Sequence, residues 1–278
     1  MKAINFLCAG ALALGLAACN IDSTDPGTAP PAATMAFKSG AKYEYSSYHT
    51  DPSTSQKQDT SSRIRVWTLV SNSATVQGRS GVAVYVDSVF QVGGVFAITD
   101  SVYLQQQSGS NDIYRYASLI PELDVSGVPL FDLGKQWMHE AKLNATVASW
   151  AVGNVSDTLP IQLNIPGLQT ATLGVEDNVD SSRVENLTIN GTSYATTRTV
   201  HRLALTVNLY IGTGSFAVPI KLPLESIYRR TWISADLGAI VKEEREAKVL
   251  NTSYSGSNIN IPIPGYYSVM TRVIATGN

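Results

Sequence analysis

The densest group of side chains that could bind a metal ion is the acidic run between residues 176 and 180. Glu176, Asp177 and Asp180 carry carboxylate oxygens, which are the ligands that Ca²⁺ prefers. The run lacks the alternating aspartates and the turn glycine of a helix-loop-helix calcium site. We therefore interpret it as a solvated loop, with a calcium site as the alternative.

The residue types needed for catalysis are present but do not form a known pattern. His49, His139 and His201 are far apart, and Leu143 occupies the position where a zinc-protease helix starting at His139-Glu140 needs its second histidine. The chain contains no Gly-x-Ser-x-Gly nucleophile motif. The sequence thus predicts no catalytic residue, no cofactor and no enzymatic activity. An envelope hydrolase remains an alternative, because a serine, a histidine and an aspartate can converge in space.

Five tyrosines form a candidate sugar-binding platform, since flat rings cover the apolar faces of sugars while their hydroxyls hydrogen-bond. They are Tyr43, Tyr45, Tyr48, Tyr266 and Tyr267. Tyrosine is also common in ordinary strands, and we prefer that simpler interpretation.

The N-terminus has the pattern of an export signal. Lys2 precedes an apolar run from Ala3 to Gly15, which is too short for a membrane-spanning helix, and the run leads into Leu16-Ala17-Ala18-Cys19. These four residues resemble the lipobox of bacterial lipoproteins. The resemblance implies cleavage between Ala18 and Cys19 and attachment of a diacylglycerol to the Cys19 sulfur.

The predicted mature protein has no free thiol, because Cys8 lies in the discarded segment and Cys19 carries the lipid. Residues 20–35 are rich in Pro, Gly, Ser and Thr and are predicted to form a flexible tether. Asn20 follows the cysteine where an aspartate would resemble an inner-membrane retention signal, so an outer-membrane destination is expected, with the face of the membrane left open. The predicted organisation is a signal peptide at 1–18, the lipidated cysteine and tether at 19–35, and one domain at 36–278.

Alternating apolar residues predict that this domain is built from strands. Leu203, Leu205, Val207 and Leu209 alternate with polar or small residues, which places one face on a core. Similar runs recur to the C-terminus, and no long capped amphipathic helix is found. The predicted fold is all-β: an antiparallel curved sheet, a half-barrel or a barrel-like sandwich.

Two pairs of similar short segments suggest an internal duplication. Gly40-Ala41-Lys42-Tyr43 is similar to Gly134-Lys135-Gln136-Trp137, and a second pair of Ser-Ser-Arg segments follows in the same order. The hypothesis divides the domain into halves at 36–126 and 127–278. Chance similarity is the alternative.

The segment from Tyr228 to Lys242 resembles the closing hairpin of uncharacterised exported bacterial β domains. The combination of lipid anchor, tether and strands is also similar to half-barrel lipoprotein carriers, at the level of fold alone. These resemblances imply a membrane-tethered envelope lipoprotein that acts as a binding or structural module for lipid or envelope proteins, and a surface-exposed glycan-binding lipoprotein is the alternative. The formal charge of -2 and the lack of a long basic run exclude a typical nucleic-acid-binding protein.

Overall fold

The computed structural model describes residues 33–277, except for the segments 92–95, 120–123, 126–127, 130–133, 146–148, 159–164 and 213–215. The predicted signal peptide, Cys19 and most of the tether lie outside the described residues.

Apart from a short 3₁₀ turn at Asp59–Ser61, the regular elements of the described chain are strands. They are β1 Lys42–Thr50, β2 Arg63–Val76, β3 Arg79–Gln91, β4 Phe96–Gln106, β5 Asp112–Ala117, β6 Asp124–Val125, β7 Val128–Pro129, β8 Gln136–Lys142, β9 Trp150–Thr158, β10 Leu168–Ile189, β11 Thr192–Ile211, β12 Val218–Pro223, β13 Ile227–Ser234, β14 Ala239–Arg245, β15 Lys248–Tyr254, β16 Ser257–Ile263 and β17 Gly265–Ala275.

Twelve of these strands form one continuous antiparallel path in the order β8-β5-β4-β3-β2-β1-β17-β14-β13-β11-β10-β9, and β12 pairs with β11 beside it. The path consists of two six-stranded meanders that meet where β1 pairs with β17. The two ends of the path also approach each other, because the Trp150 indole on β9 donates a hydrogen bond of 3.0 Å to the His139 carbonyl on β8. The sheet is therefore barrel-like, which confirms the all-β antiparallel prediction.

The division into halves at residue 127 does not match this topology. Tyr43 lies on β1, at the junction of the two meanders, whereas Trp137 lies on β8, at one end of the path. Strand β8 pairs with β5 and so completes the first meander instead of opening the second. Tyr43 and Trp137 therefore lie on strands at different positions along the path.

The interior of the barrel contains two apolar clusters. The first includes Tyr43, Leu69, Leu104 and Ile233, from strands of both meanders. The second contains Leu173, Leu205 and the inward residues of the β15–β16 hairpin, which forms a separate two-stranded sheet. Strand alternation accounts for both clusters, since every second residue of an inward-facing strand joins the core.

The turn between β13 and β14 is held by hydrogen bonds from tyrosines of the first cluster. The hydroxyls of Tyr85 and Tyr45 donate to the carbonyls of Gly238 and Ile240, at 2.7 and 2.9 Å. Gly238 has φ +66, and a Cβ there would lie 2.6 Å from the Ala36 carbonyl oxygen, so glycine is required. The sequence predicted a hairpin at this turn, and the pairing of β13 with β14 confirms it. None of the described residues belongs to a helix that is long and apolar enough to span a bilayer.

Candidate functional site

A layer of charged side chains separates the two apolar clusters. At its centre, the Arg229 guanidinium on β13 contacts Glu140 on β8 at 2.9 Å, Asp177 on β10 at 3.3 Å and Glu243 on β14 at 3.5 Å. Arg115 on β5 lies 3.1 Å from the Glu243 carboxylate. We call these five residues together with His201 the buried ionic network. Six strands contribute one side chain each, because each of these residues falls on the inward phase of its strand.

His201 on β11 joins the two carboxylate-bearing strands β8 and β10. Its Nδ1 atom lies 3.1 Å from an Asp177 oxygen, and its Nε2 atom lies 3.1 Å from the Glu140 carbonyl oxygen. The side chains of His201, Glu140 and Asp177 are all 0% exposed. Because this part of the network is sealed from solvent, its chemistry is structural: it fixes the distance between strands and has no access to a substrate.

Two opposing effects set the protonation of these carboxylates. Burial by itself raises the pKa of Glu140, but electrostatic interactions with Arg229, His201 and Arg115 outweigh burial and lower that pKa to about 2. The pKa of Asp177 is also lowered, against its burial, by His201 and Arg229. Both groups are therefore ionised in the folded protein at neutral pH. Buried ion pairs of this kind avoid a large desolvation penalty only while every member keeps its partners.

The acidic run that was interpreted as a solvated loop lies inside strand β10. Asp177 points into the barrel and belongs to the ionic network, whereas Glu176 and Asp180 are exposed. Glu176 is bonded by Asn178, and Asp180 by Arg202. The loop interpretation is therefore wrong, because the run is part of a strand. Strand alternation turns Asp177 inward, away from the exposed Glu176 and Asp180. Within the described residues, no group of three or more His, Cys, Asp or Glu side chains is arranged to hold a metal ion.

A cleft of about 300 Å³ opens on the concave side of β1, β2, β3 and β17. Its charged lining consists of Arg63 and Arg65 on β2, Asp87 on β3 and Asp100 on β4. Arg65 Nε donates to the buried Asp87 carboxylate at 3.0 Å, and its Nη1 atom donates to the Tyr266 hydroxyl. This arrangement gives the cleft a rigid, charge-neutral floor.

A smaller internal space lies on the other side of the side chains that form the floor of the cleft. That space measures about 20 Å³, room for roughly one water molecule, and Arg65 and Tyr266 line both cavities. Arg115 and Glu243 of the buried ionic network line its far side. The internal space thus lies between the floor of the cleft and the buried ionic network.

The five tyrosines of the predicted sugar platform do not share a surface. Tyr43 and Tyr45 are 2% exposed and belong to the core, so the platform interpretation is wrong for them. Tyr48 and Tyr267 stack with their ring centroids 5.0 Å apart, and both are half-buried. Tyr266 is inward-facing and lines the cleft, together with His49 and Tyr48.

The cleft also brings Ser47, His49, Ser61 and Asp87 together, which are the residue types of a hydrolase. The Ser61 hydroxyl donates to the Gln58 carbonyl at 2.6 Å and accepts from the His49 amide at 2.7 Å. Asp87 is held by Arg65. These bonds commit the Ser61 hydroxyl to the backbone and the Asp87 carboxylate to a guanidinium.

The other two histidines lie apart from the cleft. His201 is in the buried ionic network, and His139 on β8 lies 2.9 Å from the Asp112 carboxylate. Burial lowers the pKa of His139, despite the opposing effect of Asp112. The three histidines are therefore dispersed among three environments.

Sequence reasoning missed the arginines of both sites. Ile64 and Val66 alternate with Arg63 and Arg65 in the sequence, and the structure leaves Ile64 46% exposed while both arginines line the cleft. The only available signal was the alternation itself, which fixes two faces without specifying which one is buried.

No family model matches this sequence, and no curated protein matches it. Two solved structures resemble it over most of its length. One is described as a "putative lipoprotein" from Parabacteroides distasonis, with 9% identity and a TM-score of 0.40, covering 87% of this chain and 98% of its own. The other is described as a "putative exported protein with YmcC-like fold" from Bacteroides fragilis, with 11% identity and a TM-score of 0.38, covering 88% of this chain and 100% of its own. Scores this low indicate a distant similarity and assign neither fold nor function to this chain.

Proposed function

We propose that this chain is a lipid-anchored protein of the bacterial cell envelope whose β domain binds a polar ligand in the cleft. The anchor rests on the lipobox-like Leu16-Ala17-Ala18-Cys19, and the outer-membrane destination rests on Asn20. The binding role rests on one observation above all: a cleft of about 300 Å³ whose floor is fixed by the Arg65–Asp87 pair. That volume is at the lower end of the range for small-molecule sites.

A polar ligand is favoured over an acyl chain because apolar side chains already fill the interior. Leu173, Leu205 and Ile261 occupy the second cluster, and the buried ionic network lies between that cluster and the first. An acyl chain in this region would have to displace packed side chains or lie against charged groups, and both are costly.

The experiment compares ligand capture by cleft and control variants of the full-length lipidated protein in detergent. Envelope lipids, soluble glycan fragments and envelope protein extract are offered to the wild type, Arg63→Glu and Arg183→Glu. Arg63 lines the cleft, whereas Arg183 is 62% exposed on β10. We expect a ligand that the wild type and Arg183→Glu retain and that Arg63→Glu loses.

Equal capture by Arg63→Glu and the wild type would contradict the cleft as the binding site. Copurification of a lipid that Arg63→Glu also retains would favour a carrier. Turnover of an ester or glycoside that one cleft substitution abolishes would show that the protein is an enzyme.

A further inference from the structure

The charged side chains that line the cleft are two arginines and two aspartates, and one of the arginines has no carboxylate partner among the described residues. Arg65 is neutralised by Asp87, and Asp100 has Lys135 at 3.5 Å. Arg63 Nη1 donates to the carbonyl oxygens of Thr60 and Ser62, at 2.8 and 2.9 Å. These bonds orient the Arg63 guanidinium without neutralising it, and the described part of the chain supplies no carboxylate for it.

An oriented guanidinium is suited to one kind of group. Its planar fork matches the two oxygens of a carboxylate or phosphate, and such charge-assisted pairs are stronger than neutral hydrogen bonds. Since Arg65 is already bonded to Asp87 and Tyr266, Arg63 is the cleft arginine that has donors left for a ligand. The cleft therefore has a single anchor point for an anionic group.

The rest of the lining suits a flat, hydroxylated body attached to that group. The rings of Tyr266 and His49 both line the cleft, with their centroids 5.5 Å apart and their planes tilted at 47°. Ser47 lines the same surface. An aromatic face packs against the C–H groups of a sugar ring, while polar atoms around it exchange hydrogen bonds with the sugar hydroxyls.

The geometry points to a sugar bearing one anionic group as the ligand of the cleft, with that group on Arg63 and the ring against Tyr266 and His49. This inference rests on the proposed binding function and specifies its ligand class. A volume of about 300 Å³ accommodates a monosaccharide or a short fragment of an acidic glycan. A carboxylate and a phosphate share the required chemistry, and the experiment separates them.

Isothermal titration of the full-length lipidated protein in detergent tests this ligand class with four probes: glucuronate, glucose 6-phosphate, glucose and acetate. We expect one of the two anionic sugars to bind at least about tenfold more tightly than glucose or acetate, because only they use both parts of the cleft. Arg63→Gln is expected to remove that preference, so that the anionic sugars bind no more tightly than glucose does. Arg183→Gln, at an exposed position outside the cleft, is expected to bind like the wild type.

Equal affinity for glucuronate, glucose 6-phosphate and glucose would overturn the inference, as would an unchanged preference in Arg63→Gln. Failure of all four probes to bind would also overturn it. In each case the wider binding proposal would survive if another ligand from the envelope extract were still lost in Arg63→Glu. The two proposals therefore fail independently.

Discussion

Arg229 Nη1 lies 2.9 Å from Glu140 Oε1, although the two residues are 89 positions apart. Glu140 belongs to β8, the last strand of the first meander, and Arg229 belongs to β13, near the middle of the second. The two meanders are hydrogen-bonded to each other through β1 and β17. The Arg229–Glu140 contact thus connects the two meanders through the interior, far along the sheet from the β1–β17 pairing.

Replacement of Glu140 by glutamine is expected to destabilise the protein strongly. The substitution keeps the size of the side chain but leaves the buried Arg229 guanidinium without its nearest carboxylate. Removal of one partner from a buried ion pair costs about 3–5 kcal/mol. The free energy of unfolding from denaturant titration measures this loss.

The matched control is Glu176→Gln, an exposed glutamate on β10. Its effect should stay within about 0.5 kcal/mol, as for most surface substitutions. A loss of similar size in both variants would show that the buried ionic network does not hold the meanders together.

The stability of the fold is expected to decline in acid because of the same carboxylate. The pKa of Glu140 is about 2 in the folded protein, against an ordinary value of 4.5, so folding favours the ionised form. Its contribution is therefore complete above pH 4.5 and is lost as the pH falls from there towards 2. The corresponding change is on the order of 3 kcal/mol for a shift of this size.

Thermal unfolding between pH 7 and pH 2.5 measures this decline. The Glu140→Gln variant should be less stable at pH 7 and should lose less stability on acidification. Parallel profiles for the variant and the wild type would mean that other carboxylates cause the acid sensitivity.

The architecture was largely predictable from the sequence, because strand alternation is a local signal. The run of Leu203, Leu205, Val207 and Leu209 identified β11, and the resemblance of the segment from Tyr228 to Lys242 to a closing hairpin identified the β13–β14 pair. The antiparallel character of the sheet followed from the same local patterns.

The candidate site was not predictable, because its residues meet only through long-range pairing. The sequence pattern placed Asp177 in a polar loop, and its partners His201 and Arg229 are 24 and 52 positions away on other strands. Arg63 and Arg65 alternate with Ile64, and a local pattern cannot say which of the two faces turns inward. The barrel places the charged face inside because neighbouring strands supply Asp87 and Tyr266 as partners.

Tyr45 is expected to contribute to stability and not to ligand binding. Its hydroxyl donates to the Ile240 carbonyl at 2.9 Å inside the first apolar cluster. Tyr45→Phe keeps the ring and leaves that carbonyl without the tyrosine hydroxyl, which should cost about 0.5–1.5 kcal/mol in denaturant titration. Ligand affinity measured at a temperature where both proteins are folded should not change. A selective loss of affinity with normal stability would show that Tyr45 contributes to ligand binding.

Lipid anchoring at Cys19 is the prediction on which the cellular role depends. Cys19 follows Leu16-Ala17-Ala18, and its thiol is the group that carries the lipid in the proposed mature protein. A single acyl chain binds membranes only marginally, whereas two or more anchor a protein stably, so loss of the modification should release the domain. Cys19→Ser is expected to yield an unprocessed or soluble protein that no longer partitions into detergent, measured by phase separation and by the mass of the N-terminal fragment.

Cys8→Ser is the matched control, because Cys8 lies in the segment that cleavage removes, and it should be processed and partition like the wild type. Equal detergent partitioning of the two variants would contradict the lipoprotein assignment.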